Sequence, residues 1–113
     1  MENTRQQKIA KQIQRDIAEI FQRDLSASLR GSLVTVTTVR VSPDLAYAKV
    51  YVSIFPYDRA QAVLETIESL NRTIRGALGN RMRNQVKSIP ELQFFIDDSL
   101  EYIENIDSLL KKQ

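Results

Sequence analysis

Ile9, Ile13, Ile17, Ile20 and Phe21 recur at spacings of four, four, three and one, the signature of one face of an α-helix. On a helical wheel they cover a stripe roughly 120° wide, the width of a core-facing surface. The spacing predicts a helix over residues 4–25. Lys8, Lys11 and Arg15 fall on the opposite face, with Arg5 at its edge. Gly31 marks the loop that follows.

The next segment changes period. Val34-Thr35-Val36-Thr37-Thr38-Val39-Arg40-Val41 is β-branched and reads as a strand. Val34 and Val36 are in one phase of its alternation, Val39 and Val41 in the other, and one extra residue near Thr37-Thr38, a β-bulge, reconciles them. Ser42-Pro43-Asp44-Leu45 is turn chemistry. Residues 47–55 form a second strand, with Ala46, Ala48, Val50, Val52 and Ile54 directed one way and Tyr47, Lys49, Tyr51, Ser53 and Phe55 the other. The two strands pair as a hairpin.

Asp58 is placed to cap a long helical pattern carried by Val63, Leu64, Ile67, Leu70, Ile74, Leu78 and Met82. Asn71, Gly76 and Gly79 interrupt it, and each glycine costs about 1 kcal/mol in a helix interior relative to alanine. A bend or break is therefore expected between residues 70 and 80. Ile89-Pro90-Glu91-Leu92 is an exit turn, and residues 92–96 form a third strand with Leu92, Phe94 and Ile96 facing inward. Asp98 or Ser99 caps a final helix built on Ile103, Ile106 and Leu110. The order α-β-β-α-α-β, plus a C-terminal helix, predicts one α+β domain over residues 1–113, with helices packed on one face of a three-stranded sheet.

Composition narrows the chemistry. An apolar fraction of 42% and a charged fraction of 27% are ordinary for a globular domain. The 113 residues contain neither Cys nor His. That removes disulfides, most zinc and iron site designs, and nucleophiles activated by histidine. No apolar run approaches a membrane span, and Met1 leads into no apolar signal segment, so a cytoplasmic location is expected. Asp97-Asp98 is the only adjacent carboxylate pair. It precedes a helix, where Asp serves as a cap, and it provides no case for catalysis or for Mg²⁺.

Charge is unevenly distributed. Residues 72–87 carry Arg72, Arg75, Arg81, Arg83 and Lys87 and no acid, whereas residues 88–113 carry six acids and two lysines. On a helical wheel Arg72, Arg75, Arg83 and Lys87 lie within roughly 120° of one another, opposite Ile74, Leu78 and Met82, with Gly76 and Gly79 among them. An ordinary solvated face mixes signs, and this one does not. Guanidinium groups beside exposed backbone suit a phosphodiester chain, because Arg pairs bidentately with phosphate and Gly permits close approach. Gly76-Ala77-Leu78-Gly79 has the letters of a G-x-x-G backbone clamp, although two tolerated helix glycines account for it equally well. Lys8, Lys11 and Arg15 form a second basic stripe with Asp16 and Glu19 nearby. Tyr47, Tyr51 and Phe55 suit base stacking, but packing against the first or last helix is the favoured reading.

The motifs resemble the bacterial ribosome-binding factor A family. The family's Ser-x-Asp-Leu-x-x-Ala-x-Val-Tyr-Val run maps without gaps onto Ser42 to Val52. Ile74-Arg75 followed by Leu78-Gly79 matches too. So does Ile89-Pro90-Glu91-Leu92-Gln93-Phe94-Phe95-Ile96-Asp97 with Ser99 close behind, and so does the first helix with Arg15, Ile17 and Leu25. The resemblance implies a type II KH-like fold. It implies a monomeric, non-catalytic assembly factor for the free small (30S) ribosomal subunit, acting in late maturation and processing of 16S rRNA around its 5′-terminal helix, with importance in the cold. The family's Ala-x-Gly kink between two helices falls here on Leu70-Asn71-Arg72, where neither Ala nor Gly stands; Asn71 makes the kink, or the helix is straighter. The competing reading is a protein adaptor whose acidic C-terminal helix, with Glu101, Glu104 and Asp107, binds a basic ribosomal protein.

Overall fold

The apolar stripe of the first helix becomes one wall of the core. In the computed structural model, which describes residues 4–29 and 31–99, α1 (Thr4–Arg23) buries Ile9, Ala10, Ile13, Ile17, Ile20 and Phe21. Leu25 and Leu29 continue that surface beyond the helix end. Gln6 ties the start of α1 to the sheet, its Nε2 donating to the carbonyl of Val41 at 3.0 Å.

The hairpin forms in the expected place. β1 (Leu33–Val41) runs antiparallel to β2 (Tyr47–Phe55). The register passes from Val36 opposite Val52 to Thr38 opposite Tyr51, so Thr37 is the extra residue. The bulge lets Val36, Val39 and Val41 all reach the core despite their conflicting phases. Ala48, Val50, Val52 and Ile54 line the inner face of β2, whereas Ala46 lies exposed outside the strand.

The chain then crosses over through a 3-10 turn (Tyr57–Arg59), α2 (Ala60–Ser69) and α3 (Asn71–Met82), and returns as β3 (Glu91–Ile96), parallel to β2. The sheet order is β1-β2-β3. A parallel neighbour requires such a crossover. Asp58 does not cap α2: the helix enters through the 3-10 turn, Asp58 lies inside that turn, and Arg59 takes the cap position without a side-chain hydrogen bond.

The long helical pattern breaks at Leu70, whose backbone leaves the helical region (φ −98°, ψ 10°). Its N–H is shared between the carbonyls of Thr66 and Ile67, at 3.2 and 3.0 Å. Asn71 fixes the new direction, its Nδ2 donating to the Leu92 carbonyl at 3.0 Å. This is the position the family resemblance assigns to a kink, reached here with an Asn. Gly76 and Gly79 lie within α3 and break nothing.

All three helices pack on the inner face. Ile74, Leu78 and Met82 of α3 meet the α1 stripe, Ile67 of α2 is buried in the same core, and Leu92 and Phe94 of β3 close it, with Phe94 6.3 Å from Phe21 ring to ring. On the outer face, α1 does not cover Tyr47 and Phe55, which are 50% and 54% exposed, and Tyr51 stacks on Phe95 of β3 at 5.4 Å; the last helix, the other cover expected for these rings, lies outside the described residues. Asp97 fastens the first residues after β3: its carboxylate accepts from the Ser99 N–H at 3.0 Å and from Thr37 Oγ1 at 2.7 Å. The expected final helix with Ile103, Ile106 and Leu110, and the acidic residues Glu101, Glu104 and Asp107, lie outside the described residues.

Candidate nucleic-acid interface

α3 presents its buried stripe, Ile74, Leu78 and Met82, to the core, so the positions between them face outward. Arg72, Arg75 and Gly76 are exposed on that side. They line an open groove of about 800 Å³ together with Glu68, Asn71 and Glu91. Arg75 is anchored there: its Nη2 donates to the Ile89 carbonyl at 2.6 Å and its Nε to the Pro90 carbonyl at 3.2 Å. The groove therefore combines two bases with two acids.

The single ridge expected from the wheel does not persist to Lys87. α3 ends at Met82, with Arg83 as its C-cap. The Met82 carbonyl accepts from the N–H groups of Gln85 and Val86, at 2.9 and 3.2 Å, which turns the chain out of the helix. Arg83, still in helical geometry (φ −59°, ψ −22°), ends the line of Arg72 and Arg75, and Lys87 leaves it. They line a second open cleft, of about 530 Å³, with Arg5 of α1 and Asp44 of the hairpin turn. Its anionic member is already occupied: Asp44 Oδ1 accepts from Ser42 Oγ at 2.7 Å and from the Ala46 N–H at 3.1 Å. Those bonds, the Ser42 hydroxyl foremost, hold its pKa below the ordinary value of 3.8.

Arg81 faces elsewhere. Its guanidinium bonds to the Glu19 carboxylate and lies 3.9 Å from Asp16. The hydrogen bond from Arg81 is the leading cause that lowers the Glu19 pKa below 4.5, and the reciprocal bond raises that of Arg81. Asp16 is also held by Gln12, at 2.8 Å. These two acids, neighbours of Lys8, Lys11 and Arg15 in sequence, serve the α1–α3 contact. Lys8, Lys11 and Arg15 remain exposed along α1.

The two glycines differ. A Cβ added to Gly76 meets nothing within 4 Å, whereas one at Gly79 reaches Ile89 Cγ1 at 3.5 Å. Only Gly76 offers open backbone, and it does so from inside a helix, so the G-x-x-G letters form no clamp loop. Arg5 is the cleft residue that the linear charge count passes over; its place at the edge of the α1 basic stripe is the signal that points to it.

Helices α1, α2 and α3 on one face of a β1-β2-β3 sheet, with the α2–α3 break at Leu70, set the frame for comparison. The family model for ribosome-binding factor A matches residues 5–110. The chain belongs to the ribosome-binding factor A family. A ribosome-binding factor A of Flavobacterium johnsoniae is 45% identical over 111 residues, covering 97% of this chain and 85% of the relative. That of Cytophaga hutchinsonii is 38% identical over 112 residues, covering 99% and 84%. The crystal structure of the Thermus thermophilus ribosome-binding factor A superposes with a TM-score of 0.68 at 27% identity, over 80% of this chain and 94% of the other. A Thermus thermophilus homology model, fitted into a cryo-electron microscopy map of a 30S complex with that factor, superposes with a TM-score of 0.62 at 30% identity, over 79% and 91%. These neighbours share the α+β architecture described above. Among the described residues no helix is long and apolar enough to cross a membrane.

Proposed function

We propose that this chain binds the free small (30S) ribosomal subunit and assists its late maturation, including processing of 16S rRNA, by holding structured rRNA around the 5′-terminal helix. It acts as a cytoplasmic monomer, performs no chemistry on the RNA and needs no cofactor. Membership of the ribosome-binding factor A family carries this reading, and the Thermus thermophilus relative fitted into a 30S map supports the choice of subunit. The RNA-facing side comprises Arg72, Arg75, Gly76, Arg83 and Lys87 from α3 and the loop after it, with Lys8, Lys11 and Arg15 from α1, whereas Gly79 lies against Ile89. Arg81 links the two helices. Low temperature makes misfolded RNA helices longer-lived, so a factor that holds rRNA in a productive arrangement matters most in the cold.

Co-sedimentation tests the reading directly. The purified protein is expected to travel with free small subunits at low salt and to be released as salt rises, because phosphate contacts displace condensed counterions. A protein that stays at the top of the gradient at low salt is not a small-subunit factor. Binding to protein-free small-subunit RNA separates this reading from that of an adaptor recognising a basic ribosomal protein.

A further inference from the structure

The sequence distributes its positive charge evenly over residues 72–87, and the fold does not. In the groove beside the α2–α3 break, Arg72 and Arg75 face Glu68 and Glu91, and Arg75 already spends donors on two backbone carbonyls. At the other end of α3 the balance differs. Arg5, Arg83 and Lys87 arrive from three separate segments, the start of α1, the C-cap of α3 and the loop before β3, and line one cleft. Among the described residues the ion pairs are those of Arg81 with Asp16 and Glu19, so within that set neither the cleft cations nor Arg72 and Arg75 are ion-paired, and the two sites differ in the net charge of their linings. Asp44, the one acid in the cleft, keeps its negative charge while accepting from the Ser42 hydroxyl and the Ala46 N–H, so the lining of three bases and one acid carries a net +2, against zero for the two bases and two acids of the groove. The Met82 carbonyl, whose negative end at the helix terminus disfavours an anion, is covered by two N–H groups.

We propose that the cleft formed by Arg5, Arg83 and Lys87 is the principal phosphate-binding site of this protein, taking the phosphodiester backbone of RNA, and that the Arg72–Arg75 groove is secondary. The proposal rests on the RNA-binding function stated above and specifies where that function is concentrated. Two guanidinium groups and an ammonium that outnumber the single carboxylate of an open concavity match a phosphodiester better than a groove lined by equal numbers of bases and acids. Arg forks contact non-bridging oxygens in pairs, and Lys adds a point charge. Arg5 also opens the α1 stripe, so phosphates along the same strand can continue onto Lys8. The levels of Arg72 and Arg83 differ by about 16 Å along the α3 axis at 1.5 Å per residue, which makes the two sites separable by mutation.

Three double variants with equal loss of charge test this: Arg5→Gln with Arg83→Gln, Arg72→Gln with Arg75→Gln, and Arg40→Gln with Lys49→Gln on the outer sheet face. Each is checked for folding by circular dichroism and titrated with protein-free small-subunit RNA at several salt concentrations. The cleft variant is expected to lower the slope of log K against log salt by about 1.5, at 0.7–0.9 per phosphate contact. Its affinity at 0.1 M salt should fall about tenfold, and the groove variant should show less than half that slope change. A cleft variant indistinguishable from the sheet-face variant, or a groove variant with the larger loss, overturns the proposal while leaving RNA binding intact. A cleft variant that keeps RNA affinity but loses binding to whole subunits also overturns it, because the cleft then takes a protein carboxylate. Wild-type protein that binds no RNA at low salt removes the RNA-binding reading itself.

Discussion

Thr37 shows how one residue can serve the core and the chain's path at once. As the extra residue of the β1 bulge it leaves the ladder, and its hydroxyl bonds to the Asp97 carboxylate at 2.7 Å and to the Tyr51 carbonyl at 3.2 Å. The bulge is thereby fastened to the residue where the chain leaves β3. The same hydrogen bond is the first cause, ahead of Ser99, of an Asp97 pKa below its ordinary 3.8. A carboxyl with a depressed folded-state pKa contributes stability above its unfolded value and loses it as pH falls through the folded one. Thr37→Val is therefore expected to lower stability at pH 7 by about 0.5–1 kcal/mol, less than a buried charged hydrogen bond is worth because the pair is partly exposed. The difference from wild type should shrink below about pH 3.8, as chemical denaturation across pH 2–7 will show. Arg81→Gln is a second residue-scale case. It removes the bond to Glu19, so thermal stability at pH 7 should fall, while the salt dependence of RNA binding should change less than in Arg83→Gln.

At the scale of elements, the α2–α3 break sets the direction of the proposed RNA-facing side. Had the helix continued through Leu70, Asn71 would not reach the Leu92 carbonyl and α3 would not lie against both α1 and β3. Asn71→Ala should lower stability by about 1 kcal/mol, the ordinary net worth of one hydrogen bond, and a thermal melt will register it. Gly76 tests the groove. A Cβ there meets nothing, so Gly76→Ala should raise stability by about 0.5–1 kcal/mol through helix propensity and unfolded-chain entropy. It should also weaken binding to small subunits, because the methyl group stands where backbone is open to a phosphate. A stabilised variant with full binding would remove Gly76 from the interface.

For the whole molecule, the absence of His and Cys leaves no side chain whose ordinary pKa lies between pH 5.5 and about 7. Affinity for small-subunit RNA at fixed ionic strength is expected to stay constant within twofold across that range while changing steeply with salt. A marked pH dependence there would point to a perturbed group within the interface. The arrangement also gives two surfaces of different character: Lys8, Lys11, Arg15, Arg72 and Arg83 lie on the α1–α3 side, whereas the outer sheet face sets Arg40 and Lys49 beside the Tyr51–Phe95 stack and the exposed rings of Tyr47 and Phe55.

How much of this is legible without the fold follows from the range of each interaction. Helices, strands, the Thr37 bulge and the inward residues are encoded by periods of 3.6 and 2 over a few neighbours, so the apolar pattern alone determines them, and long motifs such as Ser42 to Val52 determine the family. Arg81 was partly legible as well, because it falls on the wheel away from the other four bases. Charge compensation was not. Asp16 and Glu19 stand beside Lys8, Lys11 and Arg15 in sequence yet serve Arg81, 62 residues from Glu19, and Glu91 enters the Arg72–Arg75 groove only because β3 returns there. The wheel assumed one unbroken helix to Lys87, but α3 stops at Met82 and the turn after Arg83 brings Lys87 to the cleft that Arg83 shares with Arg5. Local patterning determined which residues are buried and which are basic. Only the tertiary structure decided which cations keep an uncompensated charge, because Coulomb partners are set by distance in space rather than along the chain.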